Sequence, residues 1–206
     1  MQDPTPIFAL SVSPLLIGLG AVVGVIVIVG LMLVTIYNKL VRIRQTCKES
    51  WSDIDTELQR RHDLIPNLVS TVKGYAAHEK GVLEQVTKLR NQAVEAKDGD
   101  AKTRAGIEDM LQGSVGKLIA TAEAYPDLKA NQNFLELQKE LADTETRVAR
   151  ARRFYNANVR EFRASTMTFP SNLVAGSFGF QSSEFSFFEA SAADRAPVEV
   201  DAADFS

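Results

Sequence analysis

The sequence is poor in the residues from which catalytic and metal sites are usually built. It contains one cysteine, Cys47, and two histidines, His62 and His78, among 206 residues. A single cysteine cannot form an intramolecular disulfide, and these histidines lack the i, i+3 or i, i+4 spacing of helical metal ligands. Glycine-rich phosphate loops and G-x-S-x-G nucleophile motifs are also missing. We therefore expect no enzymatic activity, no cofactor, no metal and no small-molecule substrate.

The sequence also has no excess of basic residues. Its 23 lysines and arginines are outnumbered by 26 acidic residues, which gives a formal net charge of −3. Nucleic-acid-binding domains usually carry a strong positive charge on one face. We therefore expect no nucleic-acid partner.

An uncharged apolar run extends over residues 15–37. As a helix these residues would rise about 34 Å, enough to cross a hydrocarbon core of roughly 30 Å. A buried core helix and a cleaved signal peptide are the alternatives. The run is long for either, only Asp3 precedes it among charged residues, and no small-residue cleavage site follows. We interpret it as an uncleaved single-pass transmembrane helix.

Basic residues immediately follow this run, at Lys39, Arg42, Arg44 and Lys48. Lysine and arginine accumulate on the cytoplasmic side of membrane helices. The sequence therefore predicts a short extracytoplasmic segment at residues 1–14 and a cytoplasmic domain after the span.

Two features near the span have a functional and a plainer explanation. Gly20 and Gly24 form a G-x-x-x-G spacing that lets two membrane helices approach closely, although glycine is common in such helices. Cys47 lies close enough to the membrane for palmitoylation, although packing is the simpler role. We favour the plainer explanation for both and keep the two glycines as candidates for transmembrane packing.

After residue 37, apolar residues recur at three- and four-residue steps, which is typical of helices that pack lengthwise on other helices. The first stripe comprises Trp51, Ile54, Leu58, Ile65, Leu68, Val72 and Tyr75, with Arg61 in the one remaining seam position. The stripe keeps its phase across Pro66. We therefore expect a kink there rather than a chain reversal.

Three further stripes cover 82–93, 107–125 and 134–162, and turn signals separate them: the loop 98–100, Pro126, the N-cap Asn131 and, at the end, Phe169-Pro170. A turn near residues 74–80 gives four helices, whereas a straight helix to Lys97 gives three. We favour the first. The predicted fold class is all-α, with the transmembrane helix continuing into an elongated, coiled-coil-like antiparallel four-helix bundle over residues 38–167.

The last of these helices carries a cluster of basic residues, at Arg147, Arg150, Arg152, Arg153, Arg160 and Arg163. In a four-helix arrangement this cluster approaches the membrane, where each basic residue near anionic lipid contributes about 1 kcal/mol. Cations also suit a helix C-terminus and a solvated face. The two explanations are equally weighted, and Arg150 and Arg153 are the candidate lipid contacts.

A dense polar stretch surrounds Pro66, with candidate contacts at Arg60, Arg61, His62, Asp63, Pro66 and Asn67. Because proline frees the carbonyl four residues earlier, at His62, the structural explanation is that nearby polar side chains satisfy this acceptor. The functional explanation is a docking site for a partner. We favour the structural one.

An aromatic, glycine-containing segment occupies residues 168–188. Its candidate contact residues are Phe178, Phe180, Phe185, Phe187 and Phe188, and Gly176 and Gly179 make a long helix improbable. Such a dense aromatic cluster usually has a partner. The partner is the end of the bundle, the lipid interface or another subunit. We expect the acidic tail, residues 189–206, to be disordered.

The chain resembles the LemA family of membrane proteins over most of residues 36–188. The resemblance rests on five motifs: IYNKLVRIR, WSDIDTELQRRHDLIPNLVSTVKGYAAHEK, AEAYPDLKANQNFLELQKEL, ARRFYNANVREFR and FPSNLVAGSFGF. It implies an N-terminal anchor, a cytoplasmic helical bundle, a location at the bacterial plasma (inner) membrane and similarity to a magnetosome membrane protein. The family has no well-assigned biochemical activity, so the resemblance bears more on fold than on function.

Two hypotheses for function follow. The first is a membrane-anchored helical scaffold that forms a homo-oligomer at the cytoplasmic face, shaping the bilayer or organising partners. The alternative is an adaptor or regulator that binds one membrane-protein client, such as a protease. Both follow from an anchor joined to helices patterned for lengthwise packing.

Overall fold

A computed structural model describes residues 14–189, and every regular element in that range is helical. The helices are α1 (Pro14–Tyr75), α2 (Lys80–Glu95), α3 (Ala101–Ala122), α4 (Pro126–Lys129), α5 (Gln132–Met167) and α6 (Ser171–Phe178), with a single 3₁₀ turn at Ala96–Asp98. The all-α prediction is confirmed. The predicted disorder of the tail and nearly all of the predicted N-terminal segment lie outside the described residues.

The longest helix, α1, contains 62 residues and passes through Pro66 without interruption. Its N-terminal half has a mean hydropathy of 2.9 over the most apolar window, and none of that window is buried in the chain. Among the described side chains of α1, Leu40 is the first to be buried. The apolar half of α1 thus extends past the packed helices, and by length and composition it is able to cross a membrane.

The chain reverses between Tyr75 and Lys80, as the four-helix alternative requires. The amide of Ala76 donates to the Val72 carbonyl at 2.8 Å, and the amide of Glu79 donates to the Ala76 carbonyl at 3.1 Å. Ala76 takes the buried position at this end of the stripe. The prediction for Tyr75 is wrong, since its side chain is exposed.

Short polar side chains begin two of the helices. The Asp100 carboxylate accepts from the amides of Lys102 and Thr103, and the Asn131 side chain accepts from the amide of Phe134 at 3.1 Å. Each cap satisfies amides that have no partner within the helix. The N-cap predicted at Asn131 is confirmed.

Helices α1 and α5 are antiparallel, because contacts further along α1 in the sequence involve residues earlier in α5. Arg60 pairs with Glu140 on α5, and nearer the span Trp51 packs on Tyr155. The shorter helices α2 and α3 pack on each other, and α2 also packs on α1. Three apolar clusters follow α1 in order, and the one nearest the span comprises Leu40, Ile43, Cys47, Phe162, Val174, Ala175 and Phe180.

Candidate functional site

A buried cluster of polar and charged side chains joins α1, α3 and α5. Arg61 and His62 come from α1, and both donate to Glu108 of α3. The Arg61 guanidinium contacts one Glu108 oxygen, while His62 Nε2–H donates to the other at 2.9 Å. Arg61 Nη1 also donates to Glu145 of α5 at 3.0 Å. Arg61 and Glu108 have 2% and 0% of their side chains exposed, so this pair is closed to water, whereas Glu145 is 31% exposed.

Glu108 is held as a carboxylate in this cluster. Burial alone would raise its pKa, but the hydrogen bond from His62 and the charge of Arg61 outweigh burial. The pKa of Glu108 therefore lies below its ordinary value of 4.5. Because both carboxylate oxygens already accept hydrogen bonds and neither reaches solvent, the group is positioned to hold helices together rather than to transfer protons.

The carbonyl that Pro66 frees has a side-chain partner. Pro66 has no amide hydrogen, so the His62 carbonyl has no donor in the helix. Arg90 of α2 supplies one, with Nε 3.2 Å from that oxygen. The freed carbonyl thus has a polar partner, but the donor comes from α2 and not from the polar stretch itself, and the bond ties α2 to α1.

The remaining candidates of this stretch lie at the surface. Arg60 forms an exposed ion pair with Glu140 at 3.0 Å, and Asp63 accepts from Gln59 at 2.8 Å. Pro66 and Asn67 are exposed. Partner contact at these positions stays a prediction, while Arg61 and His62 are buried and face the core.

A second buried arginine lies on α3 at Arg104. Its Nη1 donates to Asp55 of α1 at 2.5 Å and to the Lys97 carbonyl at 3.3 Å. Its guanidinium also lies 5.4 Å from the ring centre of Trp51. This group adds a second charged link between α1 and α3.

The sequence analysis did not identify Arg104 and Glu108, the two buried charged residues of α3. Glu108 precedes Leu111 by three residues and Arg104 precedes Glu108 by four, so both continue the apolar stripe of that helix. A charged residue in a position expected to be buried is the signal that singled out Arg61. Arg104 and Glu108 show the same signal in the apolar stripe of α3.

Most of the aromatic segment packs on the end of the bundle next to the span. Phe188 is 2% exposed and stacks edge-on against Trp51. Asn156 of α5 holds its backbone, accepting from the Phe188 amide at 2.9 Å and donating to its carbonyl at 3.3 Å. Phe180 is also buried, and Phe185 packs on Phe162 at 5.1 Å.

Polar groups of α5 fix the backbone of this segment. Arg163 Nη2 donates to the Phe185 carbonyl at 2.8 Å, and its guanidinium lies 4.5 Å from the ring centre of Phe187. The Tyr155 hydroxyl donates to the Ser186 carbonyl at 2.9 Å, and burial raises the pKa of Tyr155 to about 12, which keeps the donor protonated. Of the three predicted partners, the bundle end accounts for these phenylalanines.

Phe178 behaves differently from the other four. Its side chain is 63% exposed, and its ring contacts Tyr37 at 4.9 Å. Gly179, with a φ of 75°, ends α6 directly after it in a left-handed conformation that favours glycine. The expectation that Gly179 prevents a long helix is confirmed, and the turn separates an exposed phenylalanine from the buried Phe180.

Arg150 and Arg153 are exposed on α5, beyond the membrane-proximal cluster. Arg150 lies beside Asp53 and Thr56 of α1. Asp53 is about 24 Å along the helix from Tyr37 at 1.5 Å per residue. Lipid contact at these two arginines stays a prediction, and the exposed cations adjoining the span are Lys39 and Arg42.

The remaining sequence candidates lie in or just beyond the span. A side chain built at Gly20 or Gly24 would meet nothing within 4 Å, so this face of α1 is open in the single chain. Transmembrane packing there stays a prediction. Cys47 is fully buried, and burial, followed by the charges of Glu184 and Glu161, raises the pKa of its thiol to about 11. Both observations favour packing as the role of Cys47.

Within the described residues, no three histidine, cysteine, aspartate or glutamate side chains lie close enough together to hold a metal ion. The buried charges instead neutralise one another, and one helix is suited to crossing a membrane. These features define a membrane-associated, all-α protein. The particular family follows from sequence comparison: the LemA family model matches residues 50–201, and the chain belongs to that family.

Three relatives share the same level of identity with this chain. The magnetosome protein MamQ of Magnetospirillum gryphiswaldense is 26% identical over 77% of this chain and 66% of its own length. The magnetosome protein MamQ 1 of Paramagnetospirillum magneticum is 26% identical over 72% of this chain and 64% of its own length. Protein LemA of Metamycoplasma hominis is 26% identical over 79% and 73%, respectively. The chain thus spans slightly less than two thirds of these MamQ proteins.

Proposed function

We propose that this LemA-family protein is a non-catalytic scaffold, anchored in a bacterial plasma membrane, whose helices assemble with further copies on the cytoplasmic side. The observation that carries the proposal is the continuity of α1 from Pro14 to Tyr75. The same helix forms the apolar span and one of the helices that pack in the bundle. A contact between the spans of two copies would therefore fix the distance and the relative rotation of their bundles. Such rigid coupling suits a scaffold that sets distances along a membrane.

Exposed apolar side chains on the bundle support self-assembly. Met110 of α3, Leu135 of α5 and Phe154 of α5 are 55%, 44% and 54% exposed. In the span, the open face at Gly20 and Gly24 would allow close approach of a second helix. Contacts in both regions would let one copy pack on another along the length of α1.

The chemistry of the buried charges supports a structural role. Glu108 is the ionisable carboxylate most deeply buried among the described residues, and Arg61 and His62 occupy both of its oxygens. A catalytic carboxylate needs a free oxygen or proton facing substrate. These groups instead link three helices.

The test is the mass of the full-length protein in lipid nanodiscs and in detergent, measured by native mass spectrometry over a range of protein concentrations. We expect oligomers with a defined subunit number. Particles that remain monomeric at every concentration would contradict self-assembly, while leaving membrane anchorage intact.

Cysteine crosslinking in membranes locates the contact between spans. Gly20→Cys and Gly24→Cys should form disulfide-linked dimers on mild oxidation. Val22→Cys is the matched control, because two residues place it about 200° around the helix. The buried Cys47 serves as an internal non-reacting thiol. Equal crosslinking at all three introduced positions would rule out a glycine-face contact.

The orientation is tested separately by labelling intact cells. Met110→Cys places a thiol on the exposed surface of α3. A membrane-impermeant maleimide should label it only after lysis, whereas a periplasmic control protein should be labelled before. Labelling of intact cells would place the bundle outside the cytoplasm.

One feature favours an adaptor role as a second candidate. A groove of about 740 Å³ runs between α1 and α2, lined by residues that include Val69, Lys73, Leu83, Thr87, Lys88 and Asn91. Its mixed apolar and polar lining suits a helix of a client protein. A photo-crosslinker at Thr87 should then capture one client at fixed stoichiometry in cells. Thr146, on the exposed surface of α5, is the control, and capture of only further copies of this chain rejects the adaptor role.

A further inference from the structure

The end of the bundle next to the span carries a long segment without charge. No aspartate, glutamate, lysine or arginine occurs from residue 164 to residue 183, although 24% of the chain is charged. These 20 residues include the end of α5, all of α6 and the turn at Gly179. The surface of a helical domain in water normally carries many charged side chains. A segment of this length without any is therefore unusual outside a membrane.

The short helix α6 is partly packed and partly open. Val174 and Ala175 are buried against Leu40 and Ile43 of α1. Leu173 and Phe178 are 61% and 63% exposed. The buried residues hold the helix against α1, while two of its large apolar side chains remain exposed.

Two more apolar residues, just before α6, are exposed as well. Met167 and Phe169 are 70% and 74% exposed, and among the described residues outside the apolar half of α1 they are the most exposed large apolar side chains. We call Met167, Phe169, Leu173 and Phe178 the apolar foot. Large apolar side chains that are exposed so close together in the sequence indicate a contact surface.

The position of the apolar foot identifies its partner. The Phe178 ring lies 4.9 Å from the ring of Tyr37, the last residue of the uncharged run in α1. Lys39 and Arg42, exposed one turn further along α1, are placed to meet phosphate headgroups. Aromatic residues concentrate where acyl chains meet headgroups, and cations just outside that level. The apolar foot is therefore continuous with the surface that the bilayer already covers.

We propose that the apolar foot inserts into the boundary between headgroups and acyl chains of the bilayer that α1 crosses. The bundle then contacts the membrane at two places, through the span and through α6. This inference rests on the membrane anchorage within the proposed function and does not require self-assembly. It separates Phe178 from Phe180 and Phe188, whose rings are buried in the protein.

Spin-label accessibility measurements on the full-length protein in phospholipid vesicles test the inference. Single cysteines are introduced at Leu173 and Phe178, and the native Cys47 stays unlabelled because it is buried. Thr146→Cys is the control, an exposed position on α5 further from the span. Leu31→Cys reports on the span itself.

We expect labels at Leu173 and Phe178 to collide more with oxygen than with a water-soluble nickel reagent, as the label at Leu31 does, and the label at Thr146 to show the reverse. Preference for the nickel reagent at Leu173 and Phe178, with Leu31 in lipid, overturns the inference and leaves the anchor standing. Nickel preference at Leu31 as well overturns both. Protection of Leu173 and Phe178 from both reagents would mean that protein covers the foot and would also overturn the inference.

Discussion

Arg90 Nε lies 3.2 Å from the His62 carbonyl oxygen, the acceptor that Pro66 leaves without its helical donor. One side chain of α2 therefore completes the backbone of α1 at its single internal proline. The bond is local in α1 but joins two helices, so the position of the proline and the position of α2 depend on each other.

Replacing Arg90 by leucine should lower the free energy of unfolding by about 1–3 kcal/mol, because a buried carbonyl loses its donor. In a Pro66→Ala background the amide of residue 66 can donate to the same carbonyl. The Arg90 substitution should then cost less. Urea unfolding of the four proteins in one detergent measures this coupling, and equal costs in the two backgrounds would contradict it.

Glu108→Leu should destabilise the fold by about 3–5 kcal/mol, because the buried Arg61 guanidinium would keep only the partly exposed Glu145 as a counter-charge. The double variant Arg61→Met/Glu108→Leu should recover part of this loss, since the buried positive charge is gone. Glu140→Leu removes the partner of the exposed Arg60 and should cost about 1 kcal/mol or less. A double variant less stable than Glu108→Leu would contradict this account of the cluster.

The stability contributed by Glu108 should be lost in acid. Its pKa is lower in the folded chain than its ordinary value of 4.5, so the unfolded chain takes up a proton first as the pH falls. The contribution is complete above pH 4.5 and disappears as the pH falls through the folded pKa. Glu108→Gln should flatten the decline in unfolding free energy below pH 4.5. An unchanged acid profile in Glu108→Gln would be inconsistent with this carboxylate being buried and paired.

Cys47 should resist thiol reagents in the folded protein at neutral pH. Its side chain is buried, and a pKa of about 11 leaves almost no thiolate. Maleimide labelling followed by mass spectrometry should show no adduct until denaturant is added, while the exposed Thr146→Cys reacts at once. Acyl-exchange assays on membranes should find no palmitate on Cys47. Rapid labelling or acylation without denaturant would show that this thiol is accessible.

Two phenylalanines of the aromatic segment should differ sharply in their effect on stability. Phe188→Ala removes a buried ring that packs on Trp51, and should cost about 3–5 kcal/mol. Phe178→Ala removes an exposed ring and should change the unfolding free energy in detergent by about 0.5 kcal/mol or less. Similar losses for both would mean that Phe178 is also packed within the protein.

Periodicity was sufficient to predict α1, α2, α3 and α5, because the buried stripe of each helix recurs over a few residues of local sequence. It did not predict the short helices α4 and α6. Leu58, Arg61, Ile65 and Leu68 all occupy the buried positions expected of them. The pairing of Arg61 with Glu108 was not predictable in the same way. It depends on the axial alignment of α1 and α3, which tertiary packing sets.

The aromatic segment shows a second limit of sequence reasoning. Composition indicated that its phenylalanines need a partner, but it did not decide among the bundle end, the lipid interface and another subunit. The choice is made by a left-handed turn at Gly179 and by the hydrogen bonds of Asn156, which lies 32 residues from Phe188. Such long-range backbone contacts leave no periodic signal in the chain.

The unbroken course of α1 also has a mechanical consequence. From Tyr37 to Tyr75 the helix extends about 57 Å at 1.5 Å per residue. A change in bilayer thickness that pivots the span by about ten degrees would sweep the far turn sideways by about 10 Å. A small tilt of the apolar half of α1 would therefore become a large displacement of the turn that follows Tyr75, because the helix is continuous between them.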